Sequence, residues 1–479
     1  MNYSMIIYIL GHVLKFEAIF MTLPCLVAAI YHEKSGFSFL LTMVICLILG
    51  ALMTQEKPKD TMFFAREGFV VVSLSWIIMS IFGAIPFVIS REIPSFTDAL
   101  FESISGFTTT GASILTDVES LSHACLLWRC FTHWIGGMGV FVFILAVLPM
   151  AGGHNVHLLR TESPGPSVEK LVPRLKNTAM ILYCIYLIMT LLEIIILIAA
   201  RMPVFDAITT ALGCAGTGGF AIKNDSMASY SPLIQAIVTV FVILFGVNFN
   251  GYYLLTVKKK RNPLQIAEVR WYFTIIIVAI LIITVNIYKS MDSVVWAFHH
   301  AAFQVGSIIT TTGYYTTDYN LWPQVSKTVL VFLMFIGSCA GSTGCGFKVS
   351  RVIILFKMVK NEMQSFIHPR SIRTIKIDGK VLEKDTLRNV SVFLITYVIL
   401  YFVSMFILAF DNFDMVTNFT TVVATLNNIG PGLELIGPTG NYSIFSDPTK
   451  YVLMFNMLAG RLELYPILLL FAPTTWTQQ

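Results

Sequence analysis

Two segments of the chain carry the same run of threonines closed by a glycine. Residues 100–111 and 302–313 align without gaps, and a phenylalanine, a serine, three threonines and the final glycine coincide. Each run ends a stretch of about 12 mainly apolar residues, too short to cross a bilayer and suited to a helix that enters the membrane and turns back. The two segments therefore predict re-entrant loops ending in Thr109-Thr110-Gly111 and Thr311-Thr312-Gly313.

Two weaker copies fit the same frame. One begins at Phe205 and ends in Gly216-Thr217-Gly218, and the other begins at Phe413 and ends in Asn428-Ile429-Gly430. An acidic residue opens three of the short helices, as suits the positive end of a helix dipole; these residues are Asp98, Asp206 and Asp414. Irregular backbone at membrane depth must be buried or line water, so the four loops are expected to pack together around a pseudo-fourfold axis.

Loops of this composition can replace the hydration shell of a cation. Rings of backbone carbonyls do so when successive carbonyls point the same way, which requires residues with φ > 0, and glycine adopts that conformation at little cost. Threonine hydroxyls add further oxygens, and the C-terminal ends of the short helices favour a positive charge. The four loop ends, residues 109–111, 216–218, 311–313 and 428–430, are therefore predicted to form one cation filter.

The predicted filter is shorter than the Thr-Val-Gly-Tyr-Gly filter of four-subunit potassium channels. Two positions after each predicted glycine the chain has Ser113, Phe220, Tyr315 and Gly432, so only the fourth loop keeps a second glycine. We expect a shorter stack of oxygens and looser discrimination between potassium and similar ions. The fourth loop also replaces both threonines, with Asn428 and Ile429.

The composition requires a membrane. Of the 479 residues, 56% are hydrophobic and 12% are charged, whereas soluble domains carry about 25% charged residues. Apolar stretches of spanning length predict ten spans, at residues 5–30, 37–53, 68–89, 126–150, 179–200, 233–255, 272–287, 329–356, 390–410 and 451–471. No basic segment precedes the first span, so no cleaved signal peptide is expected. The eight cysteines include no CxxC pair, and most lie in apolar runs, where a cysteine is expected to act as a small hydrophobic residue rather than in a disulfide or metal site.

The charges divide between the two sides of the membrane. The basic connections are expected to face the cytoplasm, together with both termini; they hold Lys57, Lys59, Arg66, Arg160, Lys170, Arg174, Lys176, Lys258 to Arg261, Arg270, Lys357, Lys360, Arg370, Arg373, Lys376, Lys380, Lys384 and Arg388. The opposite face is acidic and would concentrate cations at the outer mouth; it holds Asp98, Asp117, Glu119, Asp225, Asp292, Asp318, Asp411, Asp414, Glu434 and Asp447.

Two features below the filter predict a gate. Residues 337–346 contain four glycines among small polar residues, and such a segment breaks a helix, although close helix packing or a kink would also use small residues. The predicted gate loop consists of Gly337, Gly341, Ser342, Thr343, Gly344, Gly346 and Lys348. Arg461 lies within the last apolar stretch, where a charge usually faces the interior or water, and it would repel a passing cation.

The remaining titratable residues in or near the predicted spans are expected to have structural roles. His154 and His157 lie in a connection with no nearby acid, and His299 and His300 lie in the third short helix, where packing is favoured over metal binding. Glu102 is expected to support the filter through hydrogen bonds, and Glu193 and the Lys15/Glu17 pair to lie near helix ends or between helices. No nucleotide-binding glycine loop and no nucleophile with a base is present, which argues against an enzyme.

The sequence therefore predicts an all-α polytopic membrane protein. An N-terminal two-helix unit (residues 1–60) precedes four helix–pore-loop–helix repeats with pseudo-fourfold symmetry around one ion pore. The predicted repeats are residues 61–160, 161–262, 263–365 and 366–479.

Nearly the whole chain resembles the TrkH/TrkG branch of the Trk/Ktr/HKT superfamily of potassium uptake proteins. The resemblance rests on the four single-glycine loops, on Ala-Gly-Ser-Thr-Gly-Cys-Gly-Phe-Lys at 340–348, on Asn-Asn-Ile-Gly-Pro-Gly at 427–432, on Gly-Arg-Leu-Glu at 460–463, and on the two added N-terminal helices. The chain departs from the family at Cys345, where a glycine is usual, and at Tyr465-Pro466 after the arginine.

The resemblance implies a potassium-channel-like fold in the bacterial cytoplasmic (inner) membrane. It implies K⁺ as the transported ion, no organic cofactor, a homodimer, and a cytosolic nucleotide-binding regulatory ring of the TrkA type, with no nucleic-acid partner. It also implies ion ligands at the two positions before each filter glycine and a gate made of the glycine-rich loop and Arg461. We expect a gated potassium uptake channel; the alternative is a secondary transporter that couples potassium to sodium or protons.

Overall fold

The structure is a computed structural model that describes residues 1–58, 65–147, 175–257, 263–291, 293–369 and 374–476. Some predicted features lie outside the described residues: Lys59, His154, His157, Arg160, Lys170, Arg174, Lys258 to Arg261, Asp292, Arg370 and Arg373. Within the described ranges, all regular secondary structure is helical apart from one two-stranded hairpin. The predicted all-α class is therefore confirmed.

Two spans precede the first repeat. Helices α1 (Tyr3–Phe20) and α2 (Thr22–Tyr31) run on as one span of 29 residues, and α3 (Ser35–Met53) forms the second. Gly11 on α1 faces Gly50 on α3, and a Cβ on Gly50 would come within 2.7 Å of the Gly11 carbonyl oxygen. Small residues thus let these two helices approach closely. Both spans also pack against α4 (Ala65–Ile89), the first helix of the first repeat.

The same order of elements then occurs four times: a long helix, a short helix, a loop and a second helix. The other long helices are α7 (Leu175–Ala199), α11 (Ala267–Ile287) and α15 (Lys384–Leu408), and the short helices are α5 (Phe96–Phe107), α8 (Val204–Gly216), α12 (Val294–Ile309) and α16 (Met415–Leu426). The short helices have between 12 and 16 residues, too few to span a bilayer. Their N-termini differ from the prediction in detail, because Asp414 is a cap whereas Asp98 and Asp206 lie in the first turn.

The four repeats close into a ring. The second helices are α6 (His123–Val147), α9 (Pro232–Phe245) with α10 (Phe249–Val257), α13 (Gln324–Ile336) with α14 (Val349–Ile367), and α17 (Asp447–Arg461) with α18 (Tyr465–Phe471), before a last turn, α19 (Pro473–Trp476). Each second helix packs against the short helix of the next repeat: α6 on α8, α9 on α12, α13 on α16, and α17 on α5. The last contact returns to the first repeat, so the short helices surround a common axis.

Three of the second helices are broken, whereas a break was predicted only in the third repeat. α9 and α10 meet at an angle of 89°, and α17 and α18 are separated by residues 462–464, with Glu463 and Leu464 at positive φ. The described residues therefore hold six helices long and apolar enough to span, or seven if the bent pair counts as one span, instead of ten. The other three predicted spans correspond to α6 and to the broken helices of repeats three and four.

A small hairpin joins the third and fourth repeats. Strands β1 (Lys376–Ile377) and β2 (Lys380–Val381) pair antiparallel, with Asp378 and Gly379 at positive φ in the turn. The Asp378 carboxylate accepts a hydrogen bond of 2.8 Å from the Ala267 backbone N–H, at the N-terminus of α11. This contact could not be predicted from the sequence, because a two-residue strand carries too little alternation to be recognised.

Candidate ion pore

The loops that follow the four short helices share one backbone conformation. Thr109, Thr217, Thr311 and Asn428 all adopt the left-handed region, with φ of 56°, 53°, 61° and 54°. Non-glycine residues enter this region rarely and at a cost. Its recurrence at one position in four loops means that the surrounding structure holds each loop in the same unusual shape.

Two residues further on, each loop has a glycine at positive φ. These are Gly111, Gly219, Gly313 and Gly430, with φ of 75°, 75°, 88° and 91°. The second repeat was therefore aligned one residue too early: the triplet equivalent to Thr109-Thr110-Gly111 is Thr217-Gly218-Gly219, not Gly216-Thr217-Gly218. Gly216 is the last residue of α8 and packs against the His133 carbonyl.

These glycines lie where neighbouring loops touch. A Cβ atom added to Gly111 would overlap the carbonyl oxygen of Gly218 in the second loop. In the same way, a Cβ atom on Gly219 would overlap the carbonyl oxygen of Thr312, and a Cβ atom on Gly313 would overlap that of Ile429. A Cβ on Gly430 would come within 2.7 Å of the Thr110 oxygen, which returns to the first repeat. Each ring glycine thus meets a carbonyl of the next loop, the one that precedes that loop's own glycine, and the four loops form a closed ring of backbone.

The threonine hydroxyls of the ring have two different environments. Thr110 and Thr312 share hydrogen bonds of 2.8 Å with Thr108 and Thr310, so they hold their own loops. Thr109 and Thr311 instead reach the elements below the ring: Thr109 Oγ1 accepts from Arg461, and Thr311 Oγ1 accepts from the Cys345 N–H at 2.8 Å.

The fourth loop compensates for its missing threonines through Asn428. Its side-chain amide donates to Thr110 Oγ1 of the first loop and to the Met457 carbonyl on α17, both at 2.8 Å. Asn428 therefore links two neighbouring loops to a helix and keeps the fourth wall in register. Ile429, which the resemblance makes an ion ligand, contributes its backbone carbonyl at the contact with Gly313.

The glycine-rich segment between α13 and α14 is an irregular loop directly below the third filter loop. Gly337, Gly341, Gly346 and Lys348 have positive φ. A Cβ on Gly344 would come within 2.6 Å of the Thr310 carbonyl oxygen, so only glycine lets the segment come this close to the ring. Within the segment, the Lys348 ammonium donates to the Gly344 carbonyl and the Ser342 hydroxyl contacts that of Ser338.

Arg461 crosses from the last turn of α17 to this segment. One guanidinium nitrogen donates to the Thr343 carbonyl at 3.0 Å and lies 3.0 Å from Cys345 Sγ, and the other donates to the Gly136 carbonyl on α6. Glu463 does not pair with Arg461; it forms an ion pair with Arg351 on α14. A cationic side chain thus connects the first, third and fourth repeats immediately below the ring.

Two features of this lower region were missed by the sequence analysis. The break between α9 and α10 contacts the glycine-rich segment, since the Phe249 N–H donates to the Gly341 carbonyl at 2.9 Å. Glu268 at the start of α11 accepts from the N–H groups of Ala340 and Ser350, at 2.7 and 3.1 Å, and so ties the segment to the start of α14. Glu268 precedes the predicted span at 272–287, so nothing in the sequence indicated its burial.

The upper rim contains a buried ion pair, of which only one partner, Glu102, was predicted to support the filter. Glu102 accepts from Ser113 Oγ and from the Ile114 N–H, as expected of a supporting residue, but its main partner is Arg129 on α6, at 2.7 Å. His133, also on α6, bridges the Gly106 carbonyl and the Phe220 N–H. Arg129 and His133 were missed, although polar side chains in a predicted span were a signal.

The other singled-out residues lie away from the ring axis. His299 contacts Gln235 and His300 contacts Thr316, at 2.7 and 2.9 Å. Lys15 donates to Thr54 rather than pairing with Glu17. Glu193 lies within α7 and is buried between helices, beside Cys214 on α8, which is one of the two predicted placements. All eight cysteines are free, and no group of three or more metal-binding side chains occurs among the described residues.

Comparison with known proteins decides the family. Residues 35–477 match the family model of TrkH, described as a cation transport protein. The chain belongs to the TrkH family. It is 37% identical to the Trk system potassium uptake protein TrkH of Salmonella typhimurium, over 96% of both chains, and 34% identical to TrkG of Escherichia coli, over 95% of this chain and 94% of that one. The predicted resemblance is therefore confirmed, as is the prediction of a transport protein rather than an enzyme.

The TrkH-family fold is confirmed by a solved structure. The crystal structure of the potassium transporter TrkH from Vibrio parahaemolyticus covers 100% of both chains with a TM-score of 0.89 at 33% identity. Together with the apolar helices, this likeness makes the chain a multi-pass membrane protein.

Proposed function

We propose that this TrkH-family chain takes up potassium through a gated, channel-like pore whose selectivity filter is the closed ring of four loops. The observation that carries the proposal is the cyclic contact of each loop's glycine with a backbone carbonyl of the next loop. Four loop segments at the same depth in the membrane can surround a dehydrated ion with backbone carbonyl oxygens from every side. Potassium is proposed as the transported ion because the relatives are named potassium uptake proteins of the Trk system.

The filter residues in this proposal are those of the corrected register. They are Thr109, Thr110 and Gly111; Thr217, Gly218 and Gly219; Thr311, Thr312 and Gly313; and Asn428, Ile429 and Gly430. The second loop has a glycine where the others have Thr110, Thr312 or Ile429, so its wall is the least constrained by side chains. This composition supports the expectation of looser ion discrimination than in a filter with two glycines in every loop.

The gate in this proposal is the glycine-rich segment together with Arg461. The segment lies against the third loop, and the guanidinium group bridges it to α6, so a cation leaving the ring meets both an obstruction and a positive charge. Opening would require the Arg461 contacts with Thr343 and Gly136 to break together.

We further propose the cytoplasmic membrane of a bacterium as the location, with both termini on the cytoplasmic side. Glu33, between the two N-terminal spans, contacts His123 at the start of α6, a helix that begins just after the first filter loop. The turn at Glu33 is therefore on the same side as the filter mouth, and the N-terminus is on the other. The basic connections fall on that other side, which is the cytoplasmic side by the positive-inside rule.

Two partners belong to the proposal as well. A homodimer is supported by an unpaired apolar stripe on α14, where Phe356, Val359, Met363 and Phe366 are 60% or more exposed and follow helical spacing. A TrkA-type nucleotide-binding ring would dock on the cytoplasmic side, near the hairpin and its lysines. Neither partner changes the assignment of the pore.

The reversal potential of the purified chain in liposomes tests the proposal. With unequal potassium and sodium on the two sides, a passive potassium pore reverses near the potassium equilibrium potential, at any pH. A reversal that moves with the sodium or proton gradient would favour the coupled transporter instead, and no potassium-dependent current or uptake would refute both.

A further inference from the structure

The ion pair between Glu102 and Arg129 connects two filter loops. Both side chains are buried, with Glu102 0% and Arg129 2% exposed, and a guanidinium nitrogen lies 2.7 Å from the carboxylate. Glu102 holds the backbone that follows Gly111, through Ser113 and Ile114. Arg129 holds the backbone that follows Gly219, because its guanidinium donates to the Ala221 carbonyl at 3.2 Å and covers the Phe220 ring.

Stability alone does not account for such a pair. Burying two charges costs desolvation energy that their attraction only partly returns, and an apolar pair of similar volume is often as stable. The hydrogen bonds of this pair, however, end on two chain segments that belong to different repeats. A pair of apolar side chains would fill the same space without fixing the distance between those segments.

The corresponding positions in the other repeats are uncharged. Nine residues before each ring glycine the chain has Glu102, Thr210, Gln304 and Thr421. Both polar atoms of the Gln304 side chain are buried and have no hydrogen-bond partner among the described residues. The third loop is held differently, by the Ser307 hydroxyl on the Tyr314 carbonyl, and the Tyr314 hydroxyl reaches Phe220 of the second loop.

We propose that Glu102 and Arg129 are positioning residues that hold the first and second filter loops at a fixed separation and so allow the ring to reject ions smaller than K⁺. The inference rests on the proposed filter. If the loops could move together, their carbonyls could follow a smaller ion such as Na⁺, and discrimination would fall. A charged pair resists such movement because any shift weakens several hydrogen bonds to ionised groups at once.

The test compares E102Q, R129Q and the double variant E102Q/R129Q in liposomes, by the reversal potential with K⁺ on one side and Na⁺ on the other. Each variant should raise the sodium-to-potassium permeability ratio about tenfold, which corresponds to about 1.4 kcal/mol. The single variants leave one buried charge unpaired and should also insert poorly, whereas the double variant should recover insertion without recovering selectivity. That separation distinguishes positioning from a purely structural role.

The control is the double variant E33Q/H123N. It removes a contact of 2.9 Å between the turn after α2 and the start of α6, outside the pore, which reaches neither segment following the ring glycines. Its permeability ratio should stay at the parent value. A double variant E102Q/R129Q with the parent's ratio, or a control that shifts as much, would overturn the inference.

For variants that insert but carry no current, thermal unfolding in KCl and in NaCl replaces the electrical measurement. An ion that binds only the folded protein raises its melting temperature. We expect the melting temperatures in KCl and NaCl to differ less for E102Q/R129Q than for the parent. An unchanged difference would overturn the inference. A parent protein with neither K⁺-selective current nor K⁺-specific stabilisation would refute the proposed filter itself.

Discussion

The four repeats are alike in the ring of loops and differ from one another in the region below it. In the ring, four loops of different sequence adopt one backbone, with a left-handed residue and, two positions later, a left-handed glycine. Below the ring, the second helices of repeats two, three and four break in three different ways. In the proposed pore, an ion on the axis would touch all four loops at once and so requires equal walls, whereas one obstruction is enough to close the pore.

The largest effect is expected from a side chain in the ring. In Gly313→Val, the new Cβ would overlap the Ile429 carbonyl of the next loop, and valine is strongly disfavoured at φ of 88°. Potassium flux should fall to background while the protein still inserts, as measured by ⁸⁶Rb⁺ uptake into liposomes.

The matched control for that variant is Gly379→Ala. Gly379 has a similar φ of 80° in the hairpin, but nothing lies within 4 Å of its Cβ position. It should cost roughly 1–2 kcal/mol in local backbone strain and leave flux unchanged. Equal losses of flux in both variants would show that backbone strain, not contact between loops, accounts for the effect.

The next effect should have the opposite sign and arise below the ring. Arg461→Ala removes the charge and the bridge from Thr343 to Gly136. Flux should rise about tenfold or more, since each 1.4 kcal/mol taken from a barrier is tenfold in rate. Arg91→Ala, an exposed arginine between α4 and α5, serves as the control and should change nothing. Unchanged or lower flux in Arg461→Ala would contradict the gate.

A smaller rise is expected from the anchor of the glycine-rich segment. Glu268→Gln keeps an oxygen near the Ala340 and Ser350 N–H groups but removes its charge. Basal flux should rise about threefold, because a neutral acceptor forms hydrogen bonds roughly half as strong. A rise that equals that of Arg461→Ala would mean that the segment, and not the arginine, is the main barrier.

The smallest effect lies outside the pore and depends on pH. Partial burial raises the pKa of Glu33, but hydrogen bonds from the Ala124 and His123 N–H groups and from the His123 ring outweigh it and hold that pKa below its ordinary value of 4.5. The stabilisation is therefore complete above pH 4.5 and is lost as the pH falls through the lower folded-state value. Because the side chain is partly exposed, the loss should be at most about 1 kcal/mol.

Melting temperatures of the parent and of Glu33→Gln, measured between pH 7 and pH 3, check this prediction. The parent should be the more stable protein at pH 7, and the difference should shrink in acid. A constant difference across that range would rule out the carboxylate as its source.

The helical class and the register of three of the four ring loops could be predicted because their signals are local. Apolar length identifies a span, and threonines before a glycine identify a loop. In the second repeat the sequence Gly216-Thr-Gly-Gly219 offers three glycines, and composition cannot say which of them has to fit against the neighbouring loop. Only the contact of Gly219 with Thr312 fixes that register.

The supporting residues could not be predicted because their partners are distant in sequence. Arg129 and Glu102 are 27 residues apart, and Glu268 reaches Ala340 across 72. Polar residues in apolar stretches mark positions that need a partner, but the sequence does not name that partner. The break at residues 246–248 was missed for a similar reason, since Gly246 alone does not end a helix and the bend depends on packing against Tyr272 and Thr310.

The central claim is that a cation binds within the ring of four loops, and anomalous X-ray scattering from crystals of the protein grown in Rb⁺ tests it most directly. The account predicts a Rb⁺ peak on the pore axis, surrounded by the carbonyl oxygens of Thr110, Gly218, Thr312 and Ile429 or of the residues next to them, and weakened when K⁺ competes. A well-ordered ring without a peak, or peaks confined to other parts of the protein, would contradict it.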